Sequence, residues 1–182
     1  PPIFQLCRVF RDGERGTRHR PEFSMLEWYR PWAGFDSLLD DCEELLTGLA
    51  GADHLMWQGR RVDLSRPFRR VSFFDALRER GVGEPESLCT DEQMAAFVEL
   101  VEPTLGLDRA ELLVDWPIGM ASLARPKPSD PRVAERVELF AAGLELANGF
   151  GELTDAAEQR RRCEADNVER GGLGLPAYPL DE

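Results

Sequence analysis

The sequence predicts an α+β domain in which antiparallel strands pack against helices. Three observations carry this expectation. Residues 2–11 and 22–30 are strand-like runs separated by a polar, glycine-containing stretch. Residues 36–50 repeat their apolar side chains with a helical period. Residues 133–142 and 144–153 form a second pair of runs joined near Gly143.

In the first run Ile3, Phe4, Leu6, Val9 and Phe10 are apolar, and the loop from Asp12 to Arg20 breaks it. The run "EFSMLEWYR" then returns antiparallel to it. Leu38, Leu39, Cys42, Leu45, Leu46 and Leu49 follow the stripe of an amphipathic helix, with Asp36 or Ser37 as N-cap and Gly48 or Gly51 as its stop. Residues 52–112 read as a helical insert. Within it Ser72 caps a short helix ending before Gly81, Thr90 and Gln93 form a capping box, and Pro103 closes the second helix. "ELLVDW" (111–116) reads as a strand and "RPKPSDP" (125–131) as an irregular loop. Asp155 and Glu158 open a last helix that runs to about Arg170 and stops at Gly171-Gly172.

At 182 residues this is one domain, or one domain with an insert. A net charge of −12 disfavours non-specific attraction to nucleic-acid phosphates, so a polyanion would have to meet a local basic patch. Cys7, Cys42, Cys89 and Cys163 are widely spaced and unaccompanied by a His cluster. That pattern is neither a zinc framework nor a disulfide scaffold, and it suits reduced thiols in the cytoplasm. No apolar run approaches the length needed to span a bilayer.

The chemistry concentrates in the two hairpins. The first hairpin carries Arg8, Arg11, Arg15, Arg18, His19 and Arg20, with Phe23 as an aromatic able to cover a nucleobase. The second pair places Glu138, Glu145 and Glu152 seven residues apart, with Asn148 and Phe150 between the last two. Seven is a helical spacing, but the glycines at 143, 149 and 151 oppose a helix at about 1 kcal/mol each. In a regular strand Glu145 and Glu152 would face opposite sides. A one-residue bulge between 145 and 149 would bring Glu145, Asn148, Phe150 and Glu152 to one face. Arginine forks beside hard carboxylate oxygens suggest a site for a metal–polyphosphate.

"FRDGERGTRHRPEFSMLEWYR" (10–30) resembles motif 2 of class II aminoacyl-tRNA synthetases. "VAERVELFAAGLELANGFGELTDAAEQRRR" (133–162) resembles the lysine-specific branch of that class. "MLEWYRP" (25–31) and the pattern running on to "GLPAYPLDE" make the chain similar to the elongation factor P–lysine ligases of this lysyl-tRNA synthetase-like family.

The resemblance implies the class II antiparallel sheet flanked by helices, with residues 1–182 as a partial catalytic domain. Motif 1 and motif 3 lie outside what the sequence contains, and both ends read as cut. It implies ATP and Mg²⁺ as cofactors, with Arg11 as the catalytic arginine at the α-phosphate. ATP would meet Arg11, Gly13, Glu14, His19, Arg20, Phe23, Glu145 and Leu146. Glu138 and Glu145 would hold Mg²⁺. Glu27, Tyr29, Asn148, Phe150 and Glu152 would line the amino-acid pocket.

The implied reaction activates (R)-β-lysine or lysine as an adenylate and transfers it to a lysine side chain of elongation factor P. A homodimer when full length, and no use of tRNA or membrane, complete the expectation. The alternatives are a lysyl-tRNA synthetase catalytic core and a non-catalytic synthetase-like binding module.

Overall fold

The computed structural model describes residues 1–16 and 19–180, in two compact units, Pro1–Gly34 and Phe35–Glu182. The first unit is a hairpin. Strand β1 (Ile3–Phe10) pairs antiparallel with β2 (Glu22–Tyr29), in a register that sets Phe10 against Glu22 and Ile3 against Tyr29. Past the paired residues, the Arg11 N–H donates to the Pro21 carbonyl and closes the loop.

The second unit is built on a mixed sheet. Helix α1 (Phe35–Ala50) precedes a small hairpin of β3 (His54–Trp57) and β4 (Arg60–Asp63). Strand β5 (Arg69–Ser72) and helix α2 (Phe73–Glu79) follow, then helix α3 (Thr90–Ala96), which continues in wider turns to Val101. Strand β6 (Glu111–Pro117), the short β7 (Pro126–Lys127), β8 (Asp130–Ala141) and β9 (Leu144–Phe150) complete the sheet, and helix α4 (Ala156–Gly172) closes the described fold. The central strand β8 takes β6 along one edge and β7 and β9 along the other, all antiparallel. Only the β5–β6 pairing in this sheet is parallel.

The two sheet faces bury different layers. Arg136, Glu138 and Phe140 share one face of β8 with Leu113 of β6, and Leu113 in turn lies beside Val71 of β5. On that face Val71, Leu113, Phe140 and Trp116 pack with Phe73 and Leu77 of α2 and with Phe97, Val101 and Leu105. Phe73 is fully buried, and its ring centroid lies 5.0 Å from that of Trp116. On the opposite face α1 approaches β9, where Leu38 meets the bare Gly149. Arg70 of β5 ties that helix down through Asp36, Asp40 and the buried Glu43.

Several local expectations change. Residues 52–112 are not a purely helical insert, because β3, β4 and β5 precede its helices. The strands are four residues each, too short to show an alternating pattern. The proline-rich 125–131 stretch is the β7–β8 turn, not an irregular loop. Helix α1 opens at Phe35, one residue before the expected cap, and Gly51 with φ 64° ends it. Ser72 caps α2 as expected, its hydroxyl accepting from the Asp75 N–H. In α3 the capping pair is Cys89 and Glu92, one residue earlier than Thr90 and Gln93. The Cys89 N–H donates to the Glu92 carboxylate at 2.9 Å. Gly171 and Gly172 lie inside α4. The left-handed residue is Gly174, and the Leu175 N–H reaches back to the Arg170 carbonyl.

Candidate active site

On the hairpin unit, direct pairing assigns faces. Phe23 lies opposite Val9, Glu27 opposite Gln5, and Tyr29 opposite Ile3, so all three expected contact residues share one face. The Arg11 guanidinium stands 5.5 Å from the Phe23 ring centroid and 3.5 Å from Glu14. Gly13 takes a left-handed φ of 78°, which its missing Cβ permits, and its carbonyl accepts from the Arg15 N–H. The His19 carbonyl accepts from the Gly16 N–H at 3.3 Å, and Arg20 follows as an exposed residue. Arg18 lies outside the described residues. Arg8 does not belong with Arg11: it points to the other face of the hairpin and pairs with Glu22.

On the second unit, β8 and β9 meet through a two-residue turn. Ala142 and Gly143 have φ of 58° and 71°, the left-handed pair that matches strand twist. The bulge expected from the sequence is present. Glu145 pairs with Phe140 but Ala147 with Leu139, leaving Leu146 as the extra residue. Beyond it Asn148 lies opposite Glu138, and Phe150 opposite Arg136. Glu145, Asn148 and Phe150 therefore share a face with Glu138. A Cβ on Gly151 would meet the Glu135 side chain on the reverse face, which leaves Glu152 on the same side as Phe150. Glu152 bridges Ala124 through its backbone.

Glu138 is 5% exposed. Its Oε1 accepts from Arg136 at 2.7 Å and from the Asn148 amide at 3.4 Å. Burial pushes its pKa up to about 7, the negative charge of Glu145 adds to the rise, and Arg136 opposes it. Glu152 is shifted upward by burial alone.

Two carboxylates that raise each other's energy on one face of a ladder form an arrangement that a bound cation would stabilise. Among the described residues no group of three or more His, Cys, Asp or Glu side chains is placed to hold a metal. A two-carboxylate site fits Mg²⁺, which leaves most of its shell to phosphate oxygens and water. Glu138 and Glu145 fit that role.

The expected residues thus fall into two sets. Arg11, Gly13, Glu14, His19, Arg20, Phe23, Glu27 and Tyr29 stand on the hairpin unit. Glu138, Glu145, Leu146, Asn148, Phe150 and Glu152 stand on the second. Arg136 went unread in the sequence, although its two-residue spacing from Glu138 places it on the same strand face.

Comparison with known proteins adds a family. The model of the class II tRNA synthetases (D, K and N) matches residues 2–171. A Pectobacterium carotovorum protein named elongation factor P–(R)-beta-lysine ligase is 40% identical over 100% of this chain and 59% of its own length. A Klebsiella pneumoniae protein of the same name is 42% identical over 99% of this chain and 58% of its own length. The Sodalis glossinidius protein so named is 40% identical over 100% and 59%. The chain therefore spans somewhat under three fifths of the length of these relatives.

Proposed function

The chain belongs to the class II tRNA synthetase family (D, K and N), and on that premise we propose that it supplies part of the core of an ATP-dependent ligase. The ligase activates (R)-β-lysine or lysine and transfers it to a lysine side chain of elongation factor P. The observation in the chain that carries this reading is the bulge at Leu146, which gathers Glu145 and Asn148 onto the face of Glu138. The names of relatives 39–42% identical over nearly the whole chain support the acceptor and the amino acid. They favour this acceptor over tRNA and over a non-catalytic module.

In the first step a carboxylate oxygen of the amino acid attacks the α-phosphorus of ATP. The bond from that phosphorus to the bridging oxygen breaks, and pyrophosphate leaves. In the second step the acceptor's ε-amine attacks the carbonyl carbon, the bond to AMP breaks, and the amine loses a proton. Neither step needs a side-chain nucleophile, so the protein acts by placing groups and stabilising charge.

Arg11 stabilises charge on the α-phosphate, its guanidinium being held beside Phe23, which stacks on adenine. On the hairpin unit Gly13, Glu14, His19 and Arg20 serve the nucleotide, and on the second unit Leu146 does so. For the amino acid, whose ammonium needs a carboxylate partner away from water, the hairpin unit offers Glu27 and Tyr29, and the second unit offers Asn148, Phe150 and Glu152. Mg²⁺ on Glu138 and Glu145 would neutralise phosphate charge. The enzyme works in the cytoplasm, as a homodimer when full length. Among the described residues no helix is long and apolar enough to cross a membrane.

The test is exchange of labelled pyrophosphate into ATP by the full-length protein. Exchange that requires (R)-β-lysine or lysine supports the reading. No exchange with either rejects it.

A further inference from the structure

Arg136 is fixed on three sides. Its guanidinium lies 4.2 Å from the Trp116 ring centroid. One terminal nitrogen donates to the Met120 carbonyl at 2.6 Å, and the other to Glu138 Oε1 at 2.7 Å. Its side chain is 17% exposed, and its Nε is buried with no partner among the described residues. Leaving a buried N–H unpaired is unfavourable, and a buried ion pair is weak evidence for a stabilising role. A well-packed apolar side chain over Trp116 would serve the core as well. What an apolar side chain could not do is hold a carboxylate. Stacking on Trp116 and the bond to the Met120 carbonyl fix the guanidinium plane, and its other terminal nitrogen then donates to Glu138.

We propose that Arg136 is a positioning residue, which fixes the orientation of the Glu138 carboxylate and, through it, the place of the Mg²⁺ that accompanies ATP. The proposal rests on Glu138 being a magnesium carboxylate, as argued above. Carboxylates that bind metal are commonly held by such partners, and loss of the partner lowers metal affinity or activity by about 10–100-fold.

The experiment compares Arg136→Met, Arg136→Lys and Glu138→Gln with the wild type in the full-length protein. It measures magnesium-dependent ATP binding by calorimetry, the Mg²⁺ midpoint of pyrophosphate exchange, and the melting temperature without ligands. Arg136→Met is expected to raise the Mg²⁺ requirement in both magnesium measurements by about 10–100-fold. The KM for the amino acid should hardly move. Arg136→Lys, which keeps the charge and one donor, should recover part of the loss.

A purely structural arginine would lower the melting temperature and leave the Mg²⁺ midpoints where they were, and that result overturns the proposal. If the Met variant does not fold, Arg136→Lys carries the test: a shifted midpoint supports the proposal, and an unshifted one overturns it. If Glu138→Gln also leaves magnesium-dependent binding unchanged, the metal reading of Glu138 fails and the proposal falls with it. If Glu138→Gln abolishes that binding while Arg136→Met does not alter it, only the role of Arg136 is wrong.

Discussion

Asn148 lies directly opposite Glu138 across the β8–β9 ladder, and its side-chain amide donates to the Glu138 carboxylate at 3.4 Å. The contact exists because Leu146 is bulged out. In an unbulged ladder Glu145 and Asn148, three residues apart, would face opposite sides of the sheet. The carboxylate pair therefore depends on backbone geometry as much as on residue identity.

Glu138→Gln and Glu145→Gln preserve shape while removing one negative charge each. Either change is expected to lower magnesium-dependent adenylate formation by at least about 100-fold, on the order of 3 kcal/mol of transition-state stabilisation. Pyrophosphate exchange with circular dichroism as a fold control measures this. Undiminished exchange removes the residue from the mechanism.

The same Glu138 makes stability depend on pH. A glutamate ordinarily loses its proton near 4.5, whereas Glu138 holds its proton to about 7, chiefly because it is buried. Between those values the folded chain binds a proton that the unfolded chain lacks, so stability falls as pH rises through the window. Glu138→Gln is expected to remove this loss. Without metal, its advantage over the wild type should grow by about 2–3 kcal/mol from pH 5 to pH 8. Denaturant titration at the two pH values measures the difference, and equal stability changes in both proteins would contradict it.

Gly106 is the tightest backbone approach on the strand that carries Glu138. Its φ is +67°, and an added Cβ would stand 2.6 Å from the Phe140 carbonyl carbon. Gly106→Ala is expected to destabilise the fold by at least about 2 kcal/mol, because neither the dihedral nor the neighbouring backbone can yield cheaply. Thermal unfolding checks this. An unchanged melting temperature would show that β8 tolerates the shift.

The four thiols are expected to differ in reactivity. Cys42 is buried on α1, and burial with the charges of Asp41 and Glu43 pushes its pKa to about 11. Cys89 is exposed at the start of α3. At pH 8 iodoacetamide should label Cys89 at least about tenfold faster than Cys42, since the thiolate is the nucleophile. Mass spectrometry of the labelled peptides reads the ratio, and comparable rates would show that α1 opens readily.

How much of this was legible in the sequence varied with length and punctuation. The first hairpin and α1 announce themselves by long apolar periodicity. The bulge was legible because three glycines argued against a helix, and parity then demanded one extra residue to reconcile Glu145 with Glu152. The β3–β4 hairpin stayed hidden because "HLMW" and "RRVD" are each four residues long and lack alternation. Pro126 and Pro128 concealed a strand that needs only two residues beside β8. The paired glycines at 171 and 172 looked like a helix stop, but the turn that ends α4 uses the left-handed Gly174 instead. Arg136 was missed because the expectation followed the carboxylates and not the cation two residues before them.

The central claim is the identity of the acceptor, and transfer tests it most directly. Full-length protein, ATP, Mg²⁺ and labelled (R)-β-lysine or lysine are incubated with purified elongation factor P, and in parallel with tRNA. The account predicts label on a lysine side chain of elongation factor P, found by intact-mass and peptide mass spectrometry, with none on tRNA. Label on tRNA alone would contradict it.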